Sequence, residues 1–233
     1  MMVFESVTFG YEPDRPVVRK ASFSLSSGMT LLLGPNGCGK STLLKLAAGV
    51  ESPDAGRILV DQVDLWKEEA KARREIAYLP EFPDITPYAA LRDVLRLVCH
   101  LRGEPAVAGD RALETFGLAD EAGRSVRELS SGQRKRALLA AAIIGRPAHV
   151  LLDEPLDGLD RQIADDVLVW IRRRIADGAT LAVVSHAIEP FADLVTRALT
   201  VRDGLVVQCE TLPRPPEDRF HLLDSLARGA GAP

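Results

Sequence analysis

Aromatic residues are scarce in this chain of 233 residues, at 5% of positions, so its core has to be built from aliphatic side chains. Cysteines are few as well. Cys38, Cys99 and Cys209 lie too far apart for a CxxC metal knuckle and are odd in number for a disulfide framework, which fits a reducing compartment. Long hydrophobic runs are missing: the longest, Ala137 to Ile144, falls far short of the ~20 residues that cross a bilayer. The opening MMVFESVTFGYE has no basic stretch leading into an apolar one, so no secretory leader is expected. Direct lipid insertion is therefore not expected, and action at a membrane would need another chain. A basic surplus is also lacking, with 29 Lys and Arg against 33 Asp and Glu and a net charge of −4, so nucleic acid is not the expected partner. At 46% hydrophobic and 27% charged, the composition excludes a disordered or collagen-like chain.

What is present alternates between short aliphatic runs and longer helical patterns, the signature of a parallel sheet covered by helices. Strands are expected at Val3–Phe9, Met29–Leu33, Ile58–Val60, Ile76–Leu79, Val150–Leu152, Leu181–Ser185 and Val206–Cys209. MTLLL, VLL and LAVVS are apolar throughout, as in strands buried on both faces. VFESVTF and ASFSLSSG alternate, as in a half-exposed antiparallel sheet. Between Ala89 and Gly123 only helical patterns remain, ALRDVLRLVCHLRG and RALETFGL, which predicts a small helical lobe. Ile163, Val167, Ile171 and Ile175, spaced by four, mark a core-covering helix that ends at Gly178. From Thr211 a Pro- and Gly-rich tail carries one weak helix, Phe220–Ala227, and is expected to be loosely held. The basic runs Arg134–Arg136 and Arg172–Arg174 are short enough to lie on solvated helix faces.

The most informative segment is MTLLLGPNGCGKSTLLKLAAG. A buried strand ends in Gly34-Pro35-Asn36-Gly37-Cys38-Gly39-Lys40-Ser41-Thr42 and a helix begins, so the GxxxxGK(S/T) pattern comes with the context that it needs. Glycines let backbone N–H groups curl around phosphate oxygens, and the helix N-terminus adds its positive end. Lys40 is expected to reach the β- and γ-phosphates of ATP and Ser41 to hold Mg2+ through its hydroxyl. Cys38 occupies a free position of the loop, where the helix end is expected to lower its pKa.

A second apolar strand ends in acid, HVLLDEPLDGLD. Asp153 can serve the magnesium ion and Glu154 can accept a proton from an attacking water, which points to hydrolysis rather than transfer to a bound acceptor. Between the two motifs, Leu129-Ser130-Ser131-Gly132-Gln133 opens the apolar helix ALLAAAII; Ser130 or Ser131 can cap it, and Gly132 permits close approach.

LSSGQ resembles the LSGGQ signature of ATP-binding cassette (ABC) proteins, and other marks of that family stand in the same order: Tyr11, the phosphate loop, YLPE at the Q-loop position, the signature, Asp153-Glu154, GLD at Gly158–Asp160, and Ser185-His186. The resemblance spans Val3 to Cys209. It implies an α/β P-loop NTPase with a RecA-like parallel core, an N-terminal antiparallel β-subdomain and an inserted α-helical subdomain at about 84–145, all within an ATPase domain at 1–210, with a tail at 211–233. It further implies that Tyr11 stacks on adenine, that His186 contacts the γ-phosphate and helps to hold Glu154 and the water, and that Asp160 lies near a dimer seam. In such a head-to-tail homodimer, Ser130, Ser131, Gly132 and Gln133 of one chain close over ATP held by Lys40 of the other. The implied protein is the ATP-hydrolysing subunit of a transporter, peripheral on the cytoplasmic face of the cell membrane and paired with separate transmembrane permease subunits through the surface around Phe82–Tyr88.

Two positions depart from the family pattern. Ser131 replaces a glycine of LSGGQ, a small addition beside the phosphate. Glu81 stands where most cassettes have glutamine; a carboxylate binds Mg2+ more strongly than an amide but cannot donate to water. YLPE is similar to the variant in cassettes that partner exporters, which implies export. The alternative function is a soluble cassette ATPase that acts on nucleic acid or the ribosome; such proteins usually carry two cassettes or a long coiled-coil insertion.

Overall fold

A computed structural model describes residues 1–81, 87–209 and 211–229. Its centre is a six-stranded sheet made of β3 (Gly28–Leu33), β6 (Ile76–Leu79), β7 (His149–Asp153), β8 (Thr180–Val184), β9 (Val195–Arg202) and β10 (Leu205–Cys209), in the order β10-β9-β3-β8-β7-β6. All neighbours are parallel except β10, which pairs antiparallel with β9. The register decides where chemistry can occur. Gly28, Thr180, His149 and Ile76 are aligned at one edge, so the strands also finish together, with Asp153 opposite Val184 and Leu79 opposite Leu152. The loops after β3, β6, β7 and β8 thus leave from a common C-terminal edge, where open α/β sheets place their ligands.

Alternation along the strands divides the apolar side chains between two cores. Met29, Leu31, Leu33, Val150, Leu152, Leu181 and Val183 face one side; Leu32, Leu151, Ala182 and Val184 face the other. The second face is covered by α1 (Lys40–Ala47), through Leu43, Leu44 and Leu46, and by a four-stranded antiparallel sheet. That sheet comprises β1 (Met2–Phe9), β2 (Val18–Leu25), β4 (Ala55–Val60) and β5 (Val63–Asp64), in the order β2-β1-β4-β5. α2 (Glu69–Arg74) leads from it into β6.

The first face carries α3 (Leu91–Arg102), α4 (Val107–Thr115) and α5 (Ser131–Ile143), which meet through Leu95, Cys99, Ala112, Leu113 and Leu139. α6 (Arg161–Ala176) packs there through Val167 and Ile171, and Gly178 closes it at φ +83. α7 (Pro216–Ala227) is longer than the predicted Phe220–Ala227, and the tail is not loose along it. Leu223 and Leu226 enter the main core, and Arg219 donates to the carbonyls of Ala192, Pro213 and Arg214.

The basic runs also differ from expectation. Arg174 is 7% exposed and donates to the carbonyls of Pro147 and Arg146, and Lys135 is 6% exposed. A third buried charge-bearing group is His149, 1% exposed, whose Nε2 lies 2.8 Å from Asp61 in the turn between β4 and β5. Asp61 also pairs with the N-terminal ammonium. Burial pulls the His149 pKa down against the opposing pull of Asp61, so the folded chain prefers the neutral ring. The unfolded chain then binds the proton first, and stability is lost as pH falls through the ordinary imidazole range near ~6.5. Asp61 itself is held below the usual carboxylate range, its burial being outweighed by the ammonium and His149, so it stays charged in this window. His149→Gln should therefore lose less stability than the parent between about pH 7.5 and about pH 5.5, read as urea midpoints, because the imidazole that drives the parent's loss has gone.

Candidate active site

The phosphate loop leaves β3 at Gly34 and turns into α1 at Gly39. Gly34 has φ +142, and a Cβ there would stand 2.3 Å from the Val201 carbonyl, so no other residue fits the exit from the strand. Lys40 is 8% exposed and its ammonium donates to the carbonyls of Gly34 (2.8 Å) and Pro35 (2.9 Å). It lies across the mouth of its own loop, at the end of a helix whose free N–H groups favour anions. A cleft of about 650 Å3 adjoins the loop, bounded by Arg15, Val17, Asn36, Gly37, Cys38 and Arg202. Cys38 does not have the lowered pKa expected of it: burial raises it, against the pull of Lys40 and backbone N–H groups. Desolvation of a thiolate outweighs the helix end here.

Tyr11 is brought to the same helix. Its hydroxyl is 3.4 Å from Thr42 Oγ1, its ring packs edge-on against Phe9 at 5.0 Å, and Lys45 Nζ sits 5.7 Å from the ring centroid. At 56% exposure, the ring keeps an open face.

Across β8, the end of β7 delivers both acids. Asp153 is 2% exposed; its Oδ1 has no hydrogen-bond partner, and the Ser41 hydroxyl faces the carboxylate. Burial raises its pKa, Glu81 adds to the rise, and Ser41, Lys135 and Lys40 oppose it. Glu81 is exposed two residues past the end of β6. An unpaired buried carboxylate oxygen beside a hydroxyl is a fitting donor set for a small hard cation such as Mg2+. Among the described residues no group of three or more His, Cys, Asp or Glu could hold a metal, so such an ion would draw further oxygens from phosphate and water.

Glu154 is 8% exposed and has a left-handed backbone, φ +47. Its carboxylate accepts from the His186 N–H at 3.0 and 3.2 Å and from the Ser185 hydroxyl at 3.2 Å, and the His186 ring Nε2 is 3.6 Å away. Burial raises the Glu154 pKa despite these donors. The carboxyl is thus a stronger base than a free one, held by the loop after β8.

Among the described residues, no hydrogen bond joins Ser130–Gln133 to the phosphate loop. Ser130, not Ser131, is the cap of α5: its Oγ accepts from Gln133 N at 3.2 Å, and Gln133 Oε1 accepts from Ser130 N at 2.9 Å. Gln133 Nε2 donates to Glu121 at 3.0 Å. Gly132 faces the loop after β7, where a Cβ would lie 3.4 Å from the Gly158 carbonyl. Asp160 caps α6 by accepting from Ile163 N at 3.0 Å. Lys40, Ser41, Glu81, Asp153, Glu154 and His186 are therefore gathered at one edge, while the signature residues form a second, separate helix end. Sequence reasoning missed Lys135, grouping it with Arg134 and Arg136 on a solvated face; its Nζ donates to the Asp153 carbonyl at 3.3 Å. Most of the surface expected to receive a membrane partner, Phe82–Tyr88, lies outside the described residues.

The family model for ABC transporters matches residues 18–157. Curated relatives include a Pyrococcus horikoshii protein named as an ABC transporter ATP-binding protein, 31% identical over 212 residues, which are 88% of this chain and 81% of that one. The Nod factor export ATP-binding protein I of Burkholderia orbicola is 35% identical over 82% of this chain and 64% of its own length. The spermidine/putrescine import ATP-binding protein PotA of Pseudomonas aeruginosa is 32% identical over 89% of this chain and 59% of its own length. This chain thus spans about six-tenths of the latter two. Among solved structures, an ATP-binding subunit of an ABC transporter superposes with a TM-score of 0.82 at 24% identity, covering 90% of this chain and 89% of that one. A dimeric ATP-binding cassette in a post-hydrolysis state with ADP and Pi gives 0.80 at 20% identity, covering 91% and 100%.

Proposed function

The chain belongs to the ABC transporter family as an ATP-binding cassette, an ATPase, and on that premise we propose that it drives transport through separate transmembrane subunits by closing ATP-dependently on a second copy of itself. The observation that carries this reading is that the chain has two phosphate-seeking helix ends with, among the described residues, no hydrogen bond between them. The loop at Gly34–Thr42 and the acids Asp153 and Glu154 share one sheet edge, while the capped end of α5 offers its dipole and the Ser130 hydroxyl elsewhere. A helix end that is suited to a phosphate but lies outside its own nucleotide site is useful to a nucleotide held by another chain.

Within one chain, Lys40 exchanges its two carbonyl acceptors for phosphate oxygens, and Tyr11 presents its open face to the base. Ser41 and Asp153, with Glu81 near by, would hold Mg2+, which when bound neutralises phosphate charge. Glu154 accepts the proton of the attacking water, and Ser185 and His186 hold its carboxylate in place. Asp160, at the N-terminus of α6, lies in the loop that the partner cassette meets. The domain reads as a cassette at 1–210, with the helical subdomain at about 84–145 inserted and the segment 211–233 appended.

Glu81 supports export: similar carboxylate-bearing YLPE segments belong to exporter cassettes, and the relative named for Nod factor export points the same way, whereas those named for spermidine/putrescine and molybdenum are importers. The place of action is the cytoplasmic face of the membrane; no described helix is long and apolar enough to cross it. Tagged chain recovered from native membranes should bring a polytopic partner with it, and that partner should raise ATP turnover. Turnover raised by RNA or DNA and unchanged by the membrane partner would instead favour the soluble cassette acting on nucleic acid.

A further inference from the structure

We propose that Lys135 is a positioning residue that ties the end of α5 offered to the partner's nucleotide to the acids of its own chain's site. The inference rests on the closed-dimer reading above. α5 belongs to two places at once. Its first turn carries the Ser130–Gln133 capping box, and five residues beyond Ser130 the Lys135 side chain runs inward, 6% exposed, to the Asp153 carbonyl at 3.3 Å. Of the three consecutive basic residues, only this one points at the site: Arg134 donates to the Leu129 carbonyl and Arg136 to that of Phe116.

Burial lowers the Lys135 pKa, and the carboxylates of Asp157, Asp153, Glu154 and Glu81 oppose that fall without cancelling it. A buried ammonium is costly to desolvate, so the Asp153 carbonyl and the surrounding acids hold it in place only while α5 stays seated. The first turn of the same helix also lies beside the same loop: a Cβ on Gly132 would come 3.4 Å from the Gly158 carbonyl. The peptide that Lys135 holds is the one that joins Asp153 to Glu154. Because packed interiors transmit small displacements, a shift of the α5 end on engaging a phosphate moves that peptide, and with it the base. Lys135 thereby links the partner's ATP to the competence of this chain's Glu154 without touching either nucleotide.

The test compares Lys135→Met, which keeps length but not charge, with Lys135→Arg, measuring kcat, KM and equilibrium ATP affinity. Lys135→Met should lower kcat about 10- to 100-fold, the usual effect of losing a group that orients a working residue, with ATP affinity changed less than about threefold on the same scale. Lys135→Arg should recover part of the loss. Should the Met variant fail to fold, Lys135→Leu, which likewise has no donor for the Asp153 carbonyl, should show the same split. Unchanged kcat, a parallel fall in affinity, or equal impairment of the Arg and uncharged variants would overturn the inference. Gel filtration of Glu154→Gln with ATP separates this from the parent reading. If it dimerises and Lys135 proves indifferent, only the present inference fails; if it stays monomeric, both fail.

Discussion

Glu154→Gln should bind ATP as the parent does, turn it over about 10²- to 10⁴-fold more slowly, and accumulate as a dimer. The substitution is nearly isosteric and keeps acceptor capacity for the Ser185 hydroxyl and the His186 N–H, so the loop after β8 has no reason to move. What it removes is the basicity that burial has raised. Removing a buried carboxylate also lessens repulsion with Asp153, which should favour nucleotide retention. If ATP holds two copies together and hydrolysis releases them, blocking the proton acceptor leaves the closed state with no exit. Gel filtration with saturating ATP and Mg2+ reads this directly: a species of twice the monomer mass is expected, and a monomer under those conditions counts against the two-chain site.

Lys40→Ala acts one step earlier and should weaken binding by more than an order of magnitude. The ammonium is buried between the Gly34 and Pro35 carbonyls, so it is desolvated and aimed before any ligand arrives. Truncating one member of a buried charge pair typically costs about 2–5 kcal/mol, which is roughly 30-fold or more in affinity. The readout is thermal stabilisation by ATP. At a hundredfold excess over the parent's Kd, the parent gains about 2.7 kcal/mol, whereas the variant should gain little. A variant stabilised as much as the parent would show that the helix end and the loop N–H groups suffice without the cation.

Much of the fold was legible because strands buried on both faces carry uninterrupted aliphatic runs. MTLLL, VLL and LAVVS lie along β3, β7 and β8, and the acids and the phosphate loop followed from where those runs stop. β9 was not legible. In VTRALTVR, Arg197 and two threonines break both the run and the alternation, yet the strand lies between β3 and β10 with Ala198, Leu199 and Val201 buried. β5, at two residues, is too short to leave a pattern. Lys135, Arg174 and His149 were hidden for a common reason: local sequence marks a charged or ionisable side chain as solvent-facing, and only the tertiary structure supplies the distant carbonyl or carboxylate that lets it be buried. Cys38 failed by magnitude rather than by kind, since both influences were foreseeable but burial proved the larger.

The left-handed backbone at Glu154 sets durability against activity at a single position. A non-glycine residue in that conformation forgoes about 1–2 kcal/mol, and selection for a longer-lived fold alone would drift toward glycine or asparagine, which tolerate it. The acid is kept there against the local preference of the chain. Thermostabilised descendants that relieve this one strain should therefore be recognisable as the ones that have stopped working.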